Sequence, residues 1–269
     1  MRSESVRIPT TSGLLAGQIF YGRESAPAPA ILLESSLAAT HDALTQATAL
    51  ALRARGWTVL TFDHAGFGNS GGGNRSNRSS KGGLGSLSGI GLNAGFSLKR
   101  QTDDLTRVWW WLRKRIGIDG NRVGIWAHGL GGWRARLLLE RNPDLQALVL
   151  HQPLWRQRDW LLSPTTGFTL LQAAGYFADS EPDPLSNPQW TLAWLDLLRA
   201  PLPKPKRLPD SPVLLWKSAD EPAQRYAAMG KGSKTEEATL PGQVTRALTL
   251  PDQADPVMHE TDGFFRQYL

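Results

Sequence analysis

The segment "VGIWAHGLGGW", Val123 to Trp133, decides how this chain is read. Its first half is an unbroken apolar run ending in Ala-His, and its second half opens a helical pattern that continues through "RARLLLERN". Between them lies Gly129-Leu130-Gly131-Gly132, a turn of minimal side-chain bulk. An apolar strand that enters a glycine-rich turn and leaves as a helix is half of a parallel α/β unit.

Outward from that segment the pattern repeats in both directions. "ESVRIPTTSGLLAGQIFYG" alternates around a Ser-Gly turn and predicts a hairpin. "AILLESS" and "WTVLTFDHAG" read as buried strands, and "HDALTQATALALRARG" between them as a helix capped at Gly56. "KRQTDDLTRVWWWLRKRIG" is an amphipathic helix, "ALVLHQP" a strand, and "DGFFRQYL" a terminal helix. Near the C-terminus "PVLLWKSADEP" and "RALTLPDQADP" resume the strand pattern, with "GKGSKTEEATLPGQ" between them as an extra loop. Crossover helices between apolar strands predict a mostly parallel sheet covered on both faces, a three-layer α/β/α sandwich.

Two stretches break the alternation. Residues 71–98 are rich in Gly, Ser and Asn and too poor in large side chains to pack a core, which predicts a flexible loop. Residues 152–209 are rich in Trp and Pro, mainly helical in pattern, and end in the connector "PLPKPKRLPDSP". The expected domains are therefore a core of residues 1–151 and 210–269 and a lid or cap of residues 152–209. The chain holds 11 Trp, and Trp155, Trp160, Trp190 and Trp194 fall within that second stretch. They are read either as core packing or as an aromatic wall over a ligand.

Composition narrows the function. With no cysteine in 269 residues, disulfides, thiolate metal sites and a cysteine nucleophile are excluded. The N-terminus lacks an apolar signal core, and no run approaches the roughly 18 apolar residues of a membrane span, so a cytoplasmic protein without membrane association is expected. The net charge of +6 is scattered over loop, helix and connector, which argues against a nucleic-acid surface.

At this point the chain resembles the α/β-hydrolase superfamily over most of its length outside the two inserts. "RGWTVLTFDHAGFGNSGG" is similar to that family's strand and turn of the type G-x-x-V-x-x-x-D-x-x-G-x-G-x-S-x-G. "NRVGIWAHGLGGW" is similar to its nucleophile elbow, "SPVLLWKSADEP" to the strand carrying the acid, and "DPVMHETDGFF" to the loop carrying the histidine. Where the family has its elbow serine this sequence has Gly129, so the resemblance implies a vacated nucleophile position. It also implies Asp220 as the acid that orients His259, and His259 as the base. The oxyanion hole would be formed by the amides of Leu130 and Ser36, the latter following Glu34 and Ser35 where the family has His-Gly. Glu34, if protonated through burial, is an acid/base candidate; the alternative is a surface or ion-paired glutamate. Ser35, Trp155 and Trp160 are candidate substrate contacts.

His64, His128 and His151 fall near strand ends, yet no pair has helical or hairpin metal-ligand spacing, and no metal or other cofactor is expected. A small-molecule substrate is the expected partner. Three functions stay open: a serine-free enzyme using His/Asp acid–base chemistry on an ester, thioester or carbonyl-type substrate (lyase, cyclase or hydrolysis without an enzyme nucleophile); an esterase or thioesterase whose serine has been changed to Gly129; and an inactive protein that binds a small molecule or partner.

Overall fold

The computed structural model describes residues 2–22, 27–35, 43–65, 68–70, 98–151, 153, 211–217, 235–239 and 256–269. The hairpin is β1 (Ser3–Thr10) and β2 (Gly13–Phe20), antiparallel and in full register. Then follow β3 (Ala28–Glu34), α1 (Ala43–Ala54), β4 (Thr58–Phe62), α2 (Leu98–Arg113), β5 (Ile118–His128), α3 (Leu130–Arg141) and β6 (Leu148–His151). The chain continues with β7 (Val213–Lys217), β8 (Thr235–Thr239) and α4 (Pro256–Tyr268). These strands form one sheet in the order β1-β2-β4-β3-β5-β6-β7-β8. From β4 to β8 every pairing is parallel, while β2 joins β4 antiparallel.

The apolar runs are explained by burial on both faces. Within β3 and β5, Ala30, Leu32, Val123, Ile125 and Ala127 pack under α2 and α3, against Leu105, Trp109, Trp133 and Leu138. The alternate residues Ile31, Leu33 and Trp126 pack under α1 and α4, against Ala49, Leu52, Met258 and Phe265. The three-layer sandwich expected from sequence is the architecture found. Gly56, at φ 105°, lets the chain leave α1 toward β4, and there the Trp57 amide donates to the Leu52 carbonyl at 3.2 Å. Trp57, Trp109, Trp126, Trp133 and Trp216 are buried, so for these the core-packing reading holds. No helix among the described residues is long and apolar enough to cross a membrane.

Two sequence expectations are corrected. β8 lies inside the segment read as an extra loop; "TEEAT" is short and carries two adjacent glutamates, a composition that suits the outermost strand of a sheet and hides it from an apolar-run search. The segment read as a histidine loop is the start of α4, which begins at Pro256 rather than near Asp262, with proline in a position that helix starts favour. The flexible-loop expectation for 71–97, the lid at 152–209 and the strand expected in "RALTLPDQADP" lie outside the described residues.

Candidate functional site at the strand edge

Parallel strands β3, β4, β5 and β6 all end on one edge, the side on which such sheets hold their ligands. At its centre Gly129 joins β5 to α3 with φ 53° and ψ −119°. That pair of torsions lies outside every region comfortable for a residue with a Cβ. The turn is held by two backbone bonds: the Gly129 amide donates to the His151 carbonyl at 3.1 Å, and the Gly132 amide to the Gly129 carbonyl at 3.1 Å.

The glycines after the apex bring helix and strand ends together. A Cβ on Gly131 would sit 2.6 Å from the Glu34 carbonyl oxygen and 2.7 Å from that of Ser35; one on Gly132 would sit 2.7 Å from Cβ of Pro153. Small residues are required at both positions, by contact with β3 on one side and with the chain just beyond β6 on the other. The turn after β4 is equally close-packed. Gly68, at φ 49°, lies against the Asp63 carboxylate, which accepts from the Asn69 amide at 2.8 Å, and the Ser70 hydroxyl ties this turn to Ala16 of β2.

Two polar clusters flank the apex on opposite faces of the sheet. On the α2/α3 face Glu34 and Arg134 are fully buried and ion-paired through the arginine Nε. Arg134 also donates through Nη2 to the Ser35 carbonyl at 2.5 Å and through Nη1 to Gln101 of α2 at 3.1 Å. His64 lies 2.9 Å from the same Glu34 oxygen through Nε2, and because a carboxylate only accepts, that nitrogen carries the proton. Burial alone raises the Glu34 pKa, but the charge of Arg134 and the bond to His64 outweigh it, so the carboxyl is held below its ordinary value. Glu34 is thus the ion-paired glutamate of the two alternatives, an anchor between β3 and α3 rather than a protonated acid.

On the α1/α4 face His128 and His151 are register partners on the last rung shared by β5 and β6. Their ring centres are 5.3 Å apart, and both stack on Trp126, at 6.2 and 5.5 Å. Burial lowers the His128 pKa to about 4; burial and then the neighbouring His128 lower that of His151 to about 3. Both imidazoles are therefore neutral at pH 7. Sequence spacing missed this pair because parallel register, not helical or hairpin geometry, makes them neighbours. His64, the third histidine of that group, is on the other face with Glu34.

Of the remaining residues singled out in the sequence, Leu130 is buried in the first turn of α3, directly after the apex, and Ser35 is buried at the end of β3 with its hydroxyl unpartnered among the described residues. His259 lies in α4 and is exposed. The indole Nε1 of Trp57 donates to Asp262 at 2.7 Å and that of Trp216 to Thr261 at 3.1 Å, which fixes the rotation of α4 and leaves position 259 on its outer side. Asp220, Ser36, Trp155 and Trp160 lie outside the described residues. Among the described residues no three metal-ligating side chains cluster.

No family model matches the sequence, and no curated protein is detectably similar to it. Solved structures do match. A hypothetical protein of Pseudomonas aeruginosa superposes with a TM-score of 0.68 at 15% identity, covering 100% of this chain and 94% of the other. The α/β hydrolase GrgF of a Penicillium species gives 0.65 at 14% identity over 100% and 99% of the two chains. The carboxylesterase EstE1, cloned from a metagenomic library, gives 0.60 at 15% identity over 100% and 89%. The chain has the α/β-hydrolase fold. Within that fold the turn at Gly129 occupies the strand-to-helix junction after β5, and the β3 end held by Arg134 stands next to it.

Proposed function

We propose that this α/β-hydrolase-fold protein is an enzyme that works without an elbow nucleophile, binding a small ester, thioester or carbonyl-type substrate over Gly129. The observation that carries the reading is the apex itself. Its torsions, φ 53° and ψ −119°, are those of a strained strand-to-helix elbow, yet the residue has no side chain to act as a nucleophile. The support around it is intact: Gly131 and Gly132 allow the close approach, and Arg134 holds the end of β3. In this reading the amides of Leu130 and Ser36 polarise a substrate oxygen, and His259, oriented by Asp220, moves the proton in a lyase, cyclase or direct-hydrolysis reaction. Ser35, Trp155 and Trp160 contact substrate, beneath a cap formed by residues 152–209. Glu34 takes no part in proton transfer, because Arg134 keeps it charged and committed.

A second reading, a fold that binds a small molecule without chemistry, is favoured by the exposure of His259 on α4. Restoring the nucleophile separates the two. Gly129→Ser, folded by circular dichroism, is treated with a fluorophosphonate probe alongside the wild type and Gly129→Ser/His259→Ala. The enzyme reading expects no labelling of wild type, stoichiometric labelling of the single variant, and its loss in the double variant. A folded Gly129→Ser that resists the probe leaves the binding reading.

A further inference from the structure

The histidine pair beside the apex is not used by the function proposed above. Among the described residues neither ring has a hydrogen-bond partner, although His151 is buried and its Nδ1 is shut off from water. A buried polar nitrogen is normally satisfied, so the unpartnered His151 Nδ1, beside the half-buried ring of His128, calls for an occupant. Trp126 packs against both rings and fixes them in the pair.

We propose that His128 and His151 form a two-imidazole site for a borderline divalent cation, Zn2+, Ni2+ or Cu2+, at the strand edge beside Gly129. The spacing fits. A Zn–N bond of about 2.0–2.1 Å places the metal ~3.2 Å from the centre of each ligating ring. With one nitrogen of each ring turned to the metal, two ring centres 5.3 Å apart subtend about 110° there, close to the tetrahedral angle. A metal needs the free lone pair of a neutral imidazole. Imidazole nitrogen suits these cations, whereas hard Mg2+ and Ca2+ prefer oxygen. With two protein ligands the remaining positions fall to water or a bound carbonyl compound.

The test is calorimetric titration of chelator-stripped protein with ZnCl2 and NiCl2. The expected result is one ion per chain, weakened at least tenfold in His128→Phe and in His151→Phe, which keep an aromatic ring on Trp126. Should the phenylalanine variants misfold, X-ray absorption of the Zn-loaded wild type reads the ligands directly, and two imidazole scatterers are expected. Absence of stoichiometric Zn2+ and Ni2+ binding by the folded wild type overturns the proposal. So does binding that survives in folded His128→Phe/His151→Phe, or a spectrum with fewer than two imidazoles. Probe labelling of Gly129→Ser is measured without metal, so the elbow reading and the cation site fail separately.

Discussion

Arg134→Met removes the cation that holds β3 against the elbow helix while keeping most of the side-chain volume. The wild-type guanidinium bonds to the Glu34 carboxylate, the Ser35 carbonyl and Gln101, and neither member of the ion pair reaches water. The variant leaves a buried carboxylate facing His64 without its cation, and the Ser35 carbonyl without this donor. Breaking one side of a buried pair costs about 3–5 kcal/mol. In a chain of this size that is a fall in melting temperature of roughly 6–20 °C, at about 2–4 °C per kcal/mol. Adding Glu34→Gln to Arg134→Met removes the stranded charge, so the double variant should be more stable than the sum of the singles predicts, with a coupling of about 1–3 kcal/mol. Urea unfolding of the four proteins measures the cycle. A loss below about 1 kcal/mol in Arg134→Met, or strict additivity, would refute the view that this pair anchors the strand end.

Gly131→Ala drives a Cβ into the carbonyl oxygens of Glu34 and Ser35 and should cost about 1–3 kcal/mol in urea unfolding, whereas Gly263→Ala, in α4 with nothing within 4 Å, should gain about 0.5–1 kcal/mol. The pH dependence has two windows. His128 and His151 bind protons less readily folded than unfolded, so stability is full above about pH 6.5 and falls as pH drops toward about 4 and about 3. Thermal melts should show this loss beginning near about pH 6, reduced in His128→Phe/His151→Phe; an unchanged profile in that variant counts against the assignment. Glu34, whose carboxyl is held below its ordinary 4.5, contributes stability that is complete above that value and lost as pH falls below it, a lower window that Glu34→Gln should remove.

The core of the fold is legible in sequence because its strands are buried on both faces, which writes them as short unbroken apolar runs, and because Gly56 and the Gly131-Gly132 pair mark where helices end and begin. The apex is legible for the same reason: "VGIWAHGLGGW" runs from apolar strand through glycine straight into a helical pattern. What sequence conceals is tertiary register. Glu34 and Arg134 are a hundred positions apart, and only the occurrence of an arginine amid the buried residues of α3 hints that an acid must meet it. The His128–His151 pair depends on how two parallel strands are staggered, which no local spacing encodes. β8 escapes notice because an outermost strand needs no apolar run. His259 illustrates a third difficulty, since a motif places it near the edge while the packing of Thr261, Phe264 and Phe265 decides which way its helix turns.

The torsions of Gly129 bear on how such a protein changes over generations. A nucleophile in that conformation works against the stability of its own fold, and activity is what keeps it there. Glycine adopts the same bend with little strain, so once it occupies the apex the fold gains a margin that nearby substitutions can consume. A serine placed there would draw on that margin, and a protein that has used it elsewhere would tolerate the change less. The bend is then kept by backbone geometry alone, whatever the edge around it carries.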